Sequence, residues 1–282
     1  TISGDDKHFG WRLGRFFLTG FTRVTADENQ QPVFIKTLGD SVTLWFDLEQ
    51  DIDALNGNAQ LSLAADANGY DQQFGIPKTN FGRGTLIVRH TDYQNAKGEP
   101  AVYTDYLLAK GTTGANTRIV LHEEGDYEVA LDYEVQDSEL THITSKFGNY
   151  RIFLRFSIRN GNCMVYPFDL LTGAELQNTS VAEAGFSLDL ARSRYLDINV
   201  RRAVLVETAN GVIEDERFNR PAKDGDRYTQ EGIYTISVSN RYTGESTTKT
   251  IFVGSQELLE TYVRNGFSLC LLYTSDAADD LT

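Results

Sequence analysis

Glu124-Gly-Asp-Tyr-Glu-Val-Ala-Leu131 and Glu231-Gly-Ile-Tyr-Thr-Ile-Ser-Val238 are two copies of one pattern, Glu-Gly-x-Tyr-x-[Ile/Val]-x-[Leu/Val]. The glycine permits a tight turn. The tyrosine can anchor a corner through its hydroxyl, and the alternate apolar residues that follow enter a sheet core. Tyr127 and Tyr234 lie 107 positions apart, about the length of an immunoglobulin-sized sandwich. The pattern predicts an all-β chain of two tandem immunoglobulin-like β-sandwich domains in series.

Strand signals surround both copies. Ser41-Val-Thr-Leu-Trp-Phe-Asp-Leu48 alternates, with Val42, Leu44, Phe46 and Leu48 on one face. Further strands are expected at 84–90, 101–108, 117–121, 127–135 and 150–159. In the last, Ile152, Leu154 and Phe156 share a face, and Phe153 and Ile158 are read on the other. Asn160-Gly161 is a tight-turn dipeptide, expected to fold that strand back onto 163–168. The second half offers 195–200, 203–207, and a hairpin of 234–239 with 247–253 turned by Asn240-Arg-Tyr-Thr-Gly244. Tyr234, Ile236 and Val238 face its core, and Thr235, Ser237 and Ser239 face solvent. Ser255 is a helix N-cap, with Glu257 in the first turn. The expected layout is an enlarged sandwich over 9–166, a linker over 167–184, a plainer sandwich over 185–254 and a short helical segment over 255–269. The enlargement lies in 51–83, rich in Asn, Asp, Gly and Gln, and is read as a long loop.

The end of the chain has a separate reading. Cys270-Leu-Leu-Tyr-Thr-Ser-Asp-Ala-Ala-Asp279 breaks the amphipathic pattern of Leu258, Leu259, Tyr262 and Val263. Residue for residue, it resembles the translated mosaic-end adapter of transposon-based DNA libraries, so 270–282 is expected to be adapter-derived, after a chain cut near Leu269. The formal charge of −14 becomes −11 without Asp276, Asp279 and Asp280. An acidic surface repels a phosphate backbone, and Arg201-Arg202 is the sole adjacent basic pair, which excludes nucleic acid as a partner. No apolar run approaches the roughly 20 residues of a membrane span.

With Cys270 set aside, Cys163 stands alone and no intrachain disulfide can form. Val129 and Ile236 occupy the positions, two beyond each corner tyrosine, where an immunoglobulin domain places its second cysteine. Packing alone must hold both sandwiches. Cys163, between Asn162 and Met164, reads as a small buried hydrophobe.

Catalytic signatures are missing from the sequence. His8, His90, His122 and His142 never share a metal-ligand spacing, and His122-Glu-Glu124 lacks the second histidine of a zincin. Two oxygen-rich stretches could serve calcium: Asp47, Glu49, Asp51 and Asp53 at alternate positions, and Asp66, Asn68 and Asp71 in a compact loop. As a solvated acidic edge and an Asn-Gly turn they need no ion. No carboxylate pair is singled out for glycoside hydrolysis. Trp11, Trp45, Tyr70, Tyr93, Tyr103 and Tyr106 are candidate sugar-stacking rings. Trp45 lies out of phase with its strand's apolar face, so it is either exposed or covered by the long loop.

Asn160-Gly-Asn-Cys-Met-Val-Tyr-Pro-Phe-Asp169, Arg217-Phe-Asn-Arg-Pro-Ala-Lys-Asp-Gly225 and the stretch from Glu231 through Tyr242-Thr-Gly-Glu245 to Thr248-Lys-Thr-Ile-Phe-Val-Gly254 carry a family likeness. They resemble large immunoglobulin-like cell-surface proteins of Gram-positive anaerobic gut bacteria, over nearly all of 1–269. The resemblance implies secreted, multi-domain modules held to a membrane or wall through segments outside this chain, and it brings no activity and no functional residues. The expected function is a non-catalytic adhesion or spacer module presenting a surface to a protein or glycan at the cell exterior. The alternative is a carbohydrate-binding or accessory module of an exported polysaccharide-degrading enzyme.

Overall fold

A computed structural model describes residues 14–48, 60–62, 70–71, 76–77, 85–93, 100–108, 118–137, 146–206 and 211–267. The chain divides into two units, the first Thr1–Asp92 with Pro100–Asn160, the second Tyr93–Glu99 with Gly161–Thr282. In chain order the first half holds β1 (Gly14–Thr19), β2 (Arg23–Ala26), β3 (Pro32–Lys36), β4 (Val42–Leu48), β5 (Gln60–Ser62), β6 (Tyr70–Asp71), β7 (Ile76–Pro77), β8 (Thr85–Tyr93), β9 (Pro100–Leu108), β10 (Ile119–Leu121), β11 (Gly125–Asp137) and β12 (Lys146–Asn160). The second holds β13 (Tyr166–Asp169), β14 (Ser180–Ala182), β15 (Phe186–Asp189), β16 (Asp197–Val206), β17 (Gly211–Glu214), β18 (Arg220–Pro221), β19 (Arg227–Tyr228), β20 (Gly232–Ser239), β21 (Ser246–Val253) and helix α1 (Gln256–Arg264).

The first unit is a sandwich of two sheets. One has the order β1-β4-β10, and the other runs β2-β3-β12-β11-β8-β9, with β5 also paired to β11. Alternation along each strand sends Val42, Leu44 and Phe46 from the first sheet against Val88, Val129, Leu131, Phe156 and Ile158 from the second. Burying each such side chain stabilises the fold by about 1.5–3 kcal/mol. β3 pairs parallel to β12, whereas β2 with β3 and β11 with β12, β8 and β5 pair antiparallel.

The second unit repeats this order, except that β2 has no counterpart in it. Its small sheet is β13-β15-β19, and its large one is β14-β21-β20-β16-β17, with β14 again parallel to the final strand β21. The core is built from Val165, Phe186, Leu188, Val200, Tyr234, Ile236, Val238, Ile251 and Val253, with Cys163 among them. A third layer is added here. Ala203, Ile233 and Phe252 stand in one row across β16, β20 and β21, on the outer face of the large sheet. Helix α1 covers them with Leu258, Leu259 and Tyr262. Ser255 caps the helix, its hydroxyl accepting from the Leu258 N–H at 3.2 Å, as its sequence predicts.

Both corners form. Tyr127 donates its hydroxyl to the Glu123 carbonyl at 2.6 Å, and Tyr234 donates to the Gln230 carbonyl at 2.7 Å, each four residues back. The intervening glycines have φ of +149° at Gly125 and +140° at Gly232. A Cβ on Gly125 would lie 2.2 Å from His90 Nε2, and one on Gly232 would lie 2.7 Å from the Ala203 carbonyl oxygen. Side chains one strand away then brace the turn. His90 donates from Nε2 to the Glu124 carbonyl at 2.7 Å, and Arg202 donates to the Glu231 carbonyl at 2.6 and 2.9 Å. Register makes these two braces counterparts, since His90 pairs with Tyr127 and Arg202 with Tyr234.

Several expectations change. Ile158 lies an even number of positions from Phe156 and is fully buried beside it; only Phe153 of that pair takes the outer face. Asn160-Gly161 is the division between the units and not a hairpin turn, because β13 pairs with β15 rather than with β12. The stretch 167–184 is no free linker: it contains most of β13 and all of β14, edge strands of the second sandwich too short to show periodicity. The strands expected at 195–200 and 203–207 are one strand, β16. Arg202 does not interrupt it, because its guanidinium reaches Asp215 at 3.1 Å as well as the corner carbonyl.

Two outcomes follow from these contacts. Burial pushes the Tyr234 hydroxyl up to about 12 from an ordinary value near 10. A phenol raised this way contributes stability that is complete below pH 10 and is lost as pH climbs from about 10 toward 12. Tyr234→Phe should therefore lower the urea-unfolding free energy by about 1 kcal/mol at pH 7 and flatten its decline across that alkaline window. In the third layer, Leu259→Ala should destabilise by about 2–4 kcal/mol, read as a lower unfolding midpoint.

Candidate functional site

Trp45 sits on the outer face of β4, between the inward-facing Leu44 and Phe46. Pairing with β1 sets Phe17 directly opposite it. Their rings stack at 5.6 Å with 14° between planes. From the other flank of β4, the Arg118 guanidinium lies 4.7 Å from the indole, and Arg15 lies 4.7 Å from the Phe17 ring. The result is a ladder across the sheet: Arg15, Phe17, Trp45, Arg118. Phe17 and Arg118 approach the indole from opposite neighbouring strands, so both of its faces are in use. A saccharide that stacks needs a free ring face, and Trp45 offers it only an edge. The half-buried indole is therefore first a brace of the small sheet, worth about 0.5–1 kcal/mol per cation–π contact.

Trp11, Glu49, Asp51, Asp53, Asp66 and Asn68 lie outside the described residues. Asp47 occupies the position on β4 opposite Arg15. Tyr70 and Asp71 form β6, and Tyr103 and Tyr106 lie on β9. Tyr93 ends β8, 37% exposed, with its ring 4.8 Å from that of Tyr195. His90 and His122 serve separate turns: His90 braces the corner, and His122 Nδ1 meets the Ser41 hydroxyl at 2.7 Å. Among the described residues no three His, Cys, Asp or Glu side chains form a metal-binding group.

Among the described residues, an open concavity lies on the second unit. The outer face of its large sheet changes character row by row. Next to the helix-covered row of Ala203, Ile233 and Phe252 comes Arg201, Thr235 and Thr250, then Asn199, Ser237 and Thr248, then Asp197, Ser239 and Ser246. The last two rows line a depression of about 550 Å³ that also touches Pro221 and Ala222. Asp197, in that lining, is paired with Arg241 at 2.8 Å. Asn199 donates its amide to Asn219. Hydroxyls and amides that both donate and accept suit a neutral, hydroxyl-bearing ligand better than an ion. The sequence shows these outward Ser and Thr residues as solvent-facing positions. That three strands align them in one patch depends on register, which one hairpin cannot supply.

No family model matches the chain, and no curated protein matches it. Among the described residues no helix is long and apolar enough to cross a membrane.

A double-mutant cycle on Trp45→Ala and Arg118→Ala should give a coupling of about 0.5–1 kcal/mol in unfolding free energy. A coupling of zero would show that the guanidinium contributes nothing to holding the indole.

Proposed function

We propose that the chain is a pair of non-catalytic immunoglobulin-like modules of a bacterial cell-surface protein, acting in adhesion or as a spacer. The observation that supports this most directly is the doubling of one strand order, with each copy closed by its own tyrosine corner. Units of this kind strung in series extend reach, and their sheet faces offer contact area away from the core. Attachment to a membrane or wall belongs to segments outside this chain, and the partner is a protein or glycan at the cell exterior.

A second reading, an accessory module of an exported polysaccharide-degrading enzyme, draws on a different feature. The neutral depression over Asn199, Ser237 and Thr248 has the chemistry of a saccharide contact. It has no aromatic platform in its lining, so the affinity would rest on hydrogen bonds alone.

Beads coated with the full chain, washed over immobilised mucin and over insoluble polysaccharide, discriminate these readings. Ser237→Trp fills the depression from a solvent-facing position and should weaken any saccharide contact made there about tenfold, or roughly 1.4 kcal/mol. Retention on mucin supports adhesion. Retention confined to polysaccharide and lost in Ser237→Trp supports the accessory module. Release of reducing sugar by the purified chain would overturn the non-catalytic assignment.

A further inference from the structure

The parallel pairing of β3 with β12 ends with Lys36 opposite Asn160. Both side chains are buried, 2% and 7% exposed. Lys36 Nζ donates to Asn160 Oδ1 at 2.6 Å. Across a C=O bond of about 1.2 Å, that contact holds the nitrogen roughly 3–4 Å from Cγ, a range that includes the near-attack distance. The Asn160 backbone N–H in turn donates to Glu124 Oε1 at 2.6 Å, so a carboxyl is held against the same residue.

The surroundings shift both ionisable groups toward their neutral forms. Burial lowers the Lys36 ammonium below its ordinary range, against the pull of Glu124, Glu123 and Asp40. Burial likewise raises Glu124, against the Asn160 N–H and the charges of Arg159 and Lys36, with Asp92 adding to the rise. A free amine is a nucleophile, and a protonated carboxyl is a proton donor. Lysine is almost never fully buried without a specific partner. Here the partner is a carboxamide, which cannot neutralise its charge.

The second sandwich shows that its strand order does not require this trio. Ile158 is opposite Gly125 and Val253 is opposite Gly232, which makes Ser255 the counterpart of Asn160. Phe34 pairs with Ile158 and Ala182 with Val253, which makes Ala184 the counterpart of Lys36. The same parallel strands close there with neither an amine nor an amide.

We propose that Lys36 and Asn160 are joined by an intramolecular isopeptide bond, formed in the folded first sandwich with Glu124 relaying the proton. The Lys36 amine attacks Asn160 Cγ, and a bond forms between Nζ and Cγ. The Cγ–Nδ2 bond breaks, and Glu124 takes one proton from the attacking nitrogen and delivers one to the leaving nitrogen, which departs as ammonia. No oxidant, reductant or further reactant enters. Fixing amine and carboxamide in contact replaces the high concentration that such an aminolysis needs in solution.

This goes beyond the surface-module reading and stands apart from it, because molecular mass does not depend on what the chain binds. The test is the intact mass of the purified full chain after denaturation, with a peptide map. The expected mass is the sequence mass less one ammonia, and the map should contain a branched peptide linking Lys36 to Asn160. Lys36→Arg should return to its full sequence mass. Glu124→Gln, checked by circular dichroism to be folded, should also keep its full mass. A wild-type protein at full sequence mass, with Lys36 and Asn160 recovered in separate peptides, overturns the bond. A branched peptide persisting in Glu124→Gln overturns the relay.

Discussion

Each sandwich depends on a buried tyrosine hydroxyl that returns to the carbonyl four residues upstream. The bond fixes the angle at which β11 or β20 leaves its turn, and the phase of that strand then decides which residues enter the core. Tyr127 is held between His90, at 4.4 Å, and Phe156, at 5.4 Å. Tyr234 is packed among Phe186, Phe218 and Tyr228. In each case the ring is locked by packing before the hydroxyl is asked to bond. The glycine two residues earlier lets the neighbouring strand come close enough for a side chain to brace the exposed carbonyl. His90 and Arg202 perform that task with different chemistry, so the requirement is for a donor at that point rather than for a residue type.

Beyond the corner the copies diverge, and the divergence is sharpest on the outer face of the large sheet. Where the second unit has Ala203, Ile233 and Phe252 under α1, the first has Thr91, Asp126 and Ser157. Asp126 accepts there from the Ser157 hydroxyl at 2.7 Å and from Arg159 at 2.9 Å. An apolar row demands a cover and a polar one forbids it, since burying Asp126 beneath leucines would remove its water with nothing in exchange. Two rows further into the sheet the polarity is reversed: the second unit places Asn199, Ser237 and Thr248 where the first has Ile87, Ala130 and Phe153. A single strand order thus carries two complementary surface patterns.

Much of this was legible in the sequence, for reasons that vary by element. The corner was readable because turn, anchor and strand phase all lie within eight residues. The β20–β21 hairpin was readable because its register leaves no alternative that keeps Ser237 and Ser239 out of the core. The helix was visible from its cap and apolar spacing, but its seat was not. Ile233 and Phe252 had to be seen as one row, and their alignment is set by pairing across twenty residues. The same limit hid the ladder around Trp45, whose partners come from β1 and from beside β10. Edge strand β14 was missed because three residues carry no period, and β13, expected at 163–168, was given the wrong partner. Ile158 was misread by parity alone.

The parallel pairing of a near-first strand with the last has a mechanical meaning. In parallel neighbours, the start of one strand and the end of the other lie at opposite ends of their shared ladder. Tension entering through β3 and leaving through β12 therefore pulls Val33–Lys36 and Ser157–Asn160 past one another lengthwise. The backbone bonds between them carry that load together instead of parting one at a time, as they would in a hairpin opened from its free end. β14 and β21 stand in the same relation, so the two sandwiches share this lengthwise resistance between a parallel early strand and the last strand.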